Sequence, residues 1–85
     1  MLALVAALSA CSTTGSRDRC GTLLDAAWKD LDLAKAQGFA GTVSYSKALG
    51  LLTRAKANQA VEDFAECEDT ASRARFFIAE SRKGR

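Results

Sequence analysis

The sequence predicts a small all-α protein, a three-helix bundle in a single domain. Apolar residues recur every three or four positions over three successive stretches, which is the period of amphipathic helices. The 85 residues include no proline and six glycines, so little in the chain interrupts a helix. Hydrophobic residues make up 48% and charged residues 26%, a balance typical of a globular domain. Length and composition exclude a multi-domain enzyme, a Rossmann or barrel fold, a zinc finger and a collagen-like chain.

The first helix is predicted over residues 22–37. Its apolar stripe is Leu24, Ala27, Trp28, Leu31 and Ala34. Gly38 is expected to end it in the left-handed conformation that glycine adopts most easily. Residues 38–41 then form the first turn.

The second helix is predicted from a cap at Thr42 or Ser44 to about Ala57. Its stripe is Tyr45, Ala48, Leu49, Leu52 and Ala55, with Leu51 at the edge. Asn58 and Gln59 are the weakest helix formers nearby, and the second turn is placed there. The alternative is one continuous helix through residue 82, which would leave half of a long arm unpacked.

The third helix is predicted from the stripe Ala60, Phe64, Cys67, Ala71, Ala74 and Ile78, with Gly84 as its end. Acidic residues crowd its start and basic residues its end, which complements the helix dipole. No stripe residue follows Ile78, so truncation after Glu80 is expected to leave the thermal midpoint nearly unchanged.

Short connections make neighbouring helices antiparallel, giving an up-down-up bundle or a related right-angled stack of helical hairpins. The small-residue pattern from Ala48 to Ala55, with Ala71 and Ala74, resembles tetratricopeptide-type helix packing. It covers about 30 residues and no second repeat follows. The resemblance therefore implies architecture only.

The first ten residues carry no charge, and Leu2 to Leu8 form an unbroken apolar run. A run this short cannot cross a bilayer, which takes about 20 residues as a helix. The run ends in L-S-A-C at residues 8–11, followed by a polar stretch of Ser, Thr and Gly. This string resembles the lipobox of bacterial lipoproteins, and the resemblance implies a signal peptide over residues 1–10 and a lipidated Cys11. The alternative for the run is an apolar helix packed in a core.

Residues 11–19 are then the lipidated cysteine and a flexible tether, and residues 20–85 are a three-helix periplasmic domain. In the lipoprotein class an Asp after the cysteine favours the inner membrane. This chain has Ser12, so the resemblance implies the periplasmic face of the outer membrane, with the inner membrane as the alternative. The chain also resembles small alanine-rich lipoproteins of Gram-negative bacteria, which implies a location and no activity.

A disulfide is predicted between Cys20 and Cys67. With Cys11 acylated, two cysteines remain, an even number in an oxidising compartment. Both fall on predicted core stripes. The up-down-up topology brings the start of the first helix beside the first turns of the third. The alternative is two separate buried thiols.

The sequence favours a protein that is not an enzyme and holds no cofactor or metal. It has no histidine, the commonest general base and metal ligand. Ser44 and Lys47 match the S-x-x-K nucleophile motif, but neither S-D-N nor K-T-G follows and the chain is too short for that fold. A capping serine beside a solvated lysine is the expected reading. The acidic run from Glu62 to Asp69 is expected to be a solvated helix face, because calcium needs a shaped loop of oxygens.

Two surfaces are candidates for binding. Three large apolar residues fall off the stripes and predict a protein-partner surface: Leu33, Phe76 and Phe77. The basic end of the third helix is a candidate contact for anionic glycan or lipid: Arg73, Arg75, Arg82 and Lys83. The leading hypothesis is a membrane-anchored interaction or envelope-accessory module with a protein partner. Binding of anionic envelope glycan or lipid is the alternative. Neither nucleic acid nor a small-molecule substrate is expected.

The L-S-A-C string generates a direct test. Mass spectrometry of the membrane-extracted protein is expected to show an amino terminus at Cys11 that carries acyl mass. A soluble protein that begins at Met1 and keeps a free thiol at position 11 would contradict the lipoprotein hypothesis.

Overall fold

The computed structural model describes the backbone of residues 2–85 and the side chains of residues 15–85. Three helices make up the fold: α1 (Leu2–Ala36), α2 (Val43–Ala60) and α3 (Phe64–Ser81). All three pairs of helices pack against one another, so the predicted all-α three-helix bundle is confirmed. The predicted signal peptide and Cys11 lie outside the residues whose side chains are described.

Helices α1 and α3 run parallel beside each other, with α2 antiparallel to both. Three polar contacts join α1 and α3 or the residues directly beside their ends, at one constant separation of 45 residues: Arg17 with Glu62, Asp30 with Arg75 and Gln37 with Arg82. A constant difference in residue number requires the two helices to run in the same direction. This is the topology that the predicted up-down-up order demands.

The predicted disulfide is present. Cys20 and Cys67 are bonded, their Cα atoms lie 5.6 Å apart, and both residues are 0% exposed. The bond closes a separation of 47 residues. In the chain-entropy model such a loop constrains the unfolded chain by about 4 kcal/mol. That is large beside the few kcal/mol that a small single core supplies.

The core is narrow and rich in alanine. The buried apolar residues are Cys20, Leu24, Ala27, Leu31, Ala34, Ala48, Leu52, Ala55, Cys67, Ala71, Ala74 and Ile78. Trp28 and Tyr45 are partly buried against this core, as their place on the stripes predicts. Leu49 was predicted on the second stripe but is 41% exposed, because it lies at the edge of the face that α2 buries. Small side chains leave room for the helices to approach closely, and few large groups fill the interior.

Each helix ends in the same backbone arrangement. At the end of α1, the Phe39 amide donates to the Ala34 carbonyl and the Gly38 amide to the Lys35 carbonyl. Gly38 has φ 94°, so this is a Schellman motif, and Phe39 packs against the core beside it. The predicted turn at Gly38 is confirmed. Gly84 ends α3 in the same way, with φ 82°.

The second turn lies later than predicted. It occupies residues 61–63, and the prediction at Asn58 and Gln59 is wrong because both residues belong to α2. Glu62 takes the left-handed conformation, with φ 62°. Because this conformation is usually taken by glycine, the sequence does not mark the turn. Asp63 caps α3 by accepting the Glu66 amide. Ala60, assigned to the third stripe, is the exposed last residue of α2.

Helix α1 begins before the predicted residue 22, and residues 15–19 are helical rather than part of a flexible tether. Arg19 pairs with Glu68 at 2.8 Å, and the Arg17 guanidinium lies 5.2 Å from the centre of the Phe64 ring. Gly and Ser are poor helix formers, so contacts with α3 override local propensity here.

Residues 82–85 are exposed but Ser81 is buried, so the prediction that no core residue follows Ile78 is wrong. Ser81 is 0% exposed and its hydroxyl donates to the Ile78 carbonyl at 2.7 Å. The Arg85 carbonyl accepts the Ser44 amide at 3.1 Å, which satisfies a donor at the start of α2. The Arg82 guanidinium donates to the Gln37 side chain.

Removing residues 81–85 is therefore expected to destabilise the bundle. Loss of the buried Ser81 and of the bonds made by Arg82 and Arg85 should cost about 2 kcal/mol, at roughly 1 kcal/mol per hydrogen bond. In a domain of this size that lowers the thermal midpoint by about 10 °C. Thermal unfolding followed by circular dichroism measures the change, with the exposed Lys83→Ala as control. An unchanged midpoint would contradict the packing described above.

Candidate functional site

The three predicted partner-surface residues do not form one patch. Leu33 is 45% exposed on α1 and Phe76 is 60% exposed on α3. Phe77 is partly buried against the core and leaves only part of its surface exposed. The two rings meet edge to face with centres 5.2 Å apart, yet consecutive residues on a helix point about 100° apart. Phe76 therefore faces the seam with α1, and Phe77 the seam with α2.

A surface groove follows the seam between α1 and α3. It is lined by Leu23, Asp30, Arg75, Phe76 and Arg82, among others. Asp30 and Arg75 pair across it at 3.5 Å, and Arg82 reaches Gln37 on the far side. Leu33 follows Asp30 by three residues, on a neighbouring side of α1. The groove therefore offers apolar surface to a partner, and its polar side chains already pair with each other across the seam.

The four predicted anion-binding residues do not form one cluster. Arg75 and Arg82 face α1, two helical turns apart, whereas Arg73 pairs with Asp69 at 3.5 Å on another side of α3. Lys83 lies 3.5 Å from Glu80. These are exposed pairs, and such pairs contribute little to stability. Each of the four contacts a carboxylate or an amide oxygen of this chain.

Glu80 organises the carboxyl-terminal turn. Its carboxylate accepts from the Arg85 guanidinium at 3.0 Å and lies 3.5 Å from the Lys83 ammonium. The hydrogen bond from Arg85 lowers the pKa of Glu80 below its ordinary value of 4.5, with the positive charge of Lys83 adding to the effect. The ionised carboxylate is therefore favoured in the folded chain.

A second groove, between α2 and α3, was missed by the sequence analysis. We call it the α2–α3 groove and define it by Lys47, Gly50, Leu51, Arg54 and Phe77, with Ser46 at its rim. The Lys47 ammonium lies 5.4 Å from the centre of the Phe77 ring. The sequence contains a pattern that indicates this groove. Lys47 and Arg54 are seven residues apart and so lie on one face of the helix, with Gly50 and Leu51 between them.

The S-x-x-K residues do not take the expected roles, because Thr42 rather than Ser44 caps α2 by accepting the Tyr45 amide. The Ser44 amide bonds to the Arg85 carbonyl, and the Lys47 ammonium lies over Phe77. No hydrogen bond joins the Ser44 hydroxyl to Lys47 among the described side chains. Ser44 therefore contributes a backbone hydrogen bond and Lys47 a packing contact in this fold.

The acidic run is distributed over ion pairs. Glu62 pairs with Arg17, Glu68 with Arg19, and Glu62 lies in the turn rather than on α3. Within residues 15–85, no group of three potential ligands is close enough to hold a metal ion. The carboxylates thus serve as helix caps and ion-pair partners.

Comparison of the chain with protein-family models, with curated proteins and with solved structures finds no match. Within the part of the chain that the structure describes, no helix has the length and apolar character needed to cross a membrane. The site is therefore interpreted from its own geometry.

The position of Glu80 predicts a pH dependence. Because its pKa is lower in the folded chain than in the unfolded one, its contribution to stability is present above about pH 4.5 and is lost as the pH falls through the folded value. In Arg85→Ala, NMR titration should show the pKa of Glu80 moving back towards 4.5. A Glu80 pKa that does not change in this variant would contradict the hydrogen bond as its cause.

Proposed function

We propose that this protein is a lipid-anchored, non-enzymatic interaction module on the periplasmic face of the outer membrane. The resemblance of residues 8–11 to a lipobox supports the anchor, and Ser12 supports the outer membrane. The lack of histidine and the structural use of Ser44 and Lys47 support a binding role rather than catalysis. The module acts by holding a partner protein close to the membrane.

The observation that carries the proposal is the Cys20–Cys67 bond. Disulfides form and persist in oxidising compartments and are rare in the cytosol. Both residues are 0% exposed, so the bond is structural and inaccessible to reductants in the folded chain. A stapled, alanine-rich bundle of this kind suits an exported chain that cannot build a large core.

Anchoring at Cys11 gives the bundle a direction. Cys11 precedes Cys20 along α1, so the disulfide end lies towards the membrane and the Gly38 turn away from it. With α3 about 27 Å long at 1.5 Å per residue, its far end stands well clear of the headgroups. Both grooves run along this length, within reach of a partner in the periplasm.

The α1–α3 groove supports a protein partner. Phe76 is 60% exposed in a groove that also contains the Asp30–Arg75 pair and Arg82, which bonds to Gln37, and Leu23 lines the same groove. An exposed aromatic side chain beside satisfied polar groups is typical of an interface, where aromatic anchors supply most of the energy. Leu33 extends the apolar area along α1.

The alternative function is binding of an anionic glycan through the basic end of α3. One observation favours it: residues 62–71 carry five carboxylates and no cation, whereas residues 72–85 carry five cations and only Glu80. The cations therefore lie at the end away from the anchor. A glycan within the periplasm meets them more readily than the lipid of the anchoring membrane does.

Affinity purification from detergent-solubilised membranes tests the proposal. The full chain is expected to retain a stoichiometric protein partner, and Phe76→Ser should release it at least tenfold more readily. Val43→Ser is the matched control, because Val43 is 69% exposed outside the groove. Phe77→Ser is unsuitable, since Phe77 packs on the core.

Retention in Phe76→Ser, combined with loss in Arg73→Ala/Arg82→Ala and at high salt, would favour the glycan alternative. Exposed charge contacts are screened by salt, whereas apolar contacts persist. Absence of any partner from membranes that contain the lipidated chain would contradict the leading proposal.

A further inference from the structure

The two seams of α3 differ in how their charges are satisfied. On the α1 side, Arg75 and Arg82 each meet an oxygen of α1. On the α2 side, no ion pair or side-chain hydrogen bond joins the two helices within residues 15–85. Lys47 and Arg54 line the α2–α3 groove without an ion pair to any described residue, and no carboxylate lines that groove. The groove therefore presents two cations with no counter-charge of its own.

Gly50 is the second unusual feature of this groove. Glycine within a helix costs roughly 0.5–1 kcal/mol relative to alanine. Gly50 lies inside α2 and has no left-handed φ that would require glycine. A Cβ built there meets nothing within 4 Å, so packing does not exclude a side chain either. Glycine at this position therefore does not stabilise the bundle. It would, however, let a partner approach the α2 backbone closely.

The floor of the groove is apolar. Leu51 and Phe77 are partly buried and pack against the core, and they leave part of their surface facing outward. Lys47 covers the Phe77 ring from one side, 5.4 Å from its centre. The groove thus has an apolar floor, an exposed stretch of backbone at Gly50 and cations on its flanks. These features match an amphipathic segment that carries acidic residues along its edges.

We propose that the α2–α3 groove binds an acidic amphipathic helix of a partner protein, which packs as a fourth helix of the bundle. This inference rests on the proposed function and names the kind of partner that the module holds. Lys47 and Arg54 are two helical turns apart, about 10.5 Å along α2. The matching helix carries carboxylates seven residues apart and apolar residues three and four positions after the first. Its apolar side chains pack on Leu51, Phe77 and the Gly50 backbone.

A helix fits this surface better than a lipid headgroup does. The groove lies on the side of the bundle, along α2 from Ser46 to Arg54 with Phe77 of α3 beside it, whereas a headgroup layer would meet only one end of the bundle. At the end nearest the anchor, the five carboxylates of residues 62–69 outnumber Arg17 and Arg19, which pair with two of them, and this excess disfavours an anionic membrane. An elongated partner with charges at regular spacing matches both the shape and the charge of the groove.

A designed peptide tests the inference. The probe is a fluorescein-labelled 21-residue helical peptide with Glu at two positions seven residues apart and Leu at the third and fourth positions after the first Glu. A second peptide replaces both Glu residues by Gln. Binding to the full chain in non-ionic detergent is measured by fluorescence anisotropy. The Glu peptide is expected to bind at least tenfold more tightly than the Gln peptide.

Variants of the groove locate the site. Lys47→Gln/Arg54→Gln should weaken binding of the Glu peptide at least tenfold. Lys29→Gln/Lys35→Gln is the matched control, since both lysines are exposed, form no ion pair with described residues and do not line this groove. Gly50→Leu should abolish binding by filling the groove, while Gly50→Ala should raise the thermal midpoint and confirm that the bundle does not need glycine.

Equal binding of the two peptides, no binding of either, or equal loss in groove and control variants would each overturn the inference. So would binding of the chain to phosphatidylglycerol vesicles through Lys47 and Arg54 without binding of the peptide, because the ligand would then be a lipid surface. Repeating the titration with Cys11→Ser separates the two proposals. Peptide binding that persists there, in a chain that is never lipidated, supports the groove even if the anchoring proposal fails.

Discussion

The parallel register of α1 and α3 is the constraint on which the rest of the structure depends. The Cys20–Cys67 bond fixes it covalently near one end of the bundle. The Asp30–Arg75 and Gln37–Arg82 contacts repeat it towards the other end, at the same separation of 45 residues. Because α1 and α3 run parallel and short turns connect the helices, α2 must run antiparallel to both. Because the core is mostly alanine, helix contacts alone would hold this register weakly, and the covalent bond compensates for the thin core.

The ends of the helices show how backbone hydrogen bonding sets the turns. Gly38, Glu62 and Gly84 all occupy the left-handed position of the same motif, and each lets carbonyls of the last helical turn be satisfied by amides that follow. At Glu62 the chain accepts a conformation that costs a non-glycine residue about 1 kcal/mol. The Asp63 cap on α3 offsets this cost, whereas the exposed ion pair between Glu62 and Arg17 adds little. The turn is therefore fixed by what surrounds it.

The functional interpretation depends on which charges the fold satisfies. The seam between α1 and α3 matches its cations with oxygens of Asp30 and Gln37, and Phe76 and Leu23 are among the residues that offer apolar contact there. The α2–α3 groove leaves Lys47 and Arg54 without a carboxylate and keeps a glycine that the bundle does not use. Both surfaces lie on the sides of the bundle, and the carboxylates of residues 62–69 lie near one of its ends. The uneven distribution of charge distinguishes the three candidate ligands. Membrane lipid, periplasmic glycan and a protein helix would each approach the bundle from a different direction.

The sequence by itself determined the helical class and most of the three apolar stripes, because burial periodicity is a local pattern, and the predicted up-down-up order was enough to pair Cys20 with Cys67. It also located the turns at Gly38 and Gly84. Only the tertiary structure decided the turn at Glu62, since no glycine marks it, and the helical state of residues 15–19, which depends on contacts with α3. The same holds for Phe77: a stripe predicts one buried face, whereas a central helix such as α3 packs on two neighbours and buries a wider arc. The tertiary structure also decides which cations form ion pairs. Their partners lie about 45 residues away in the chain, so no local sequence pattern predicts them.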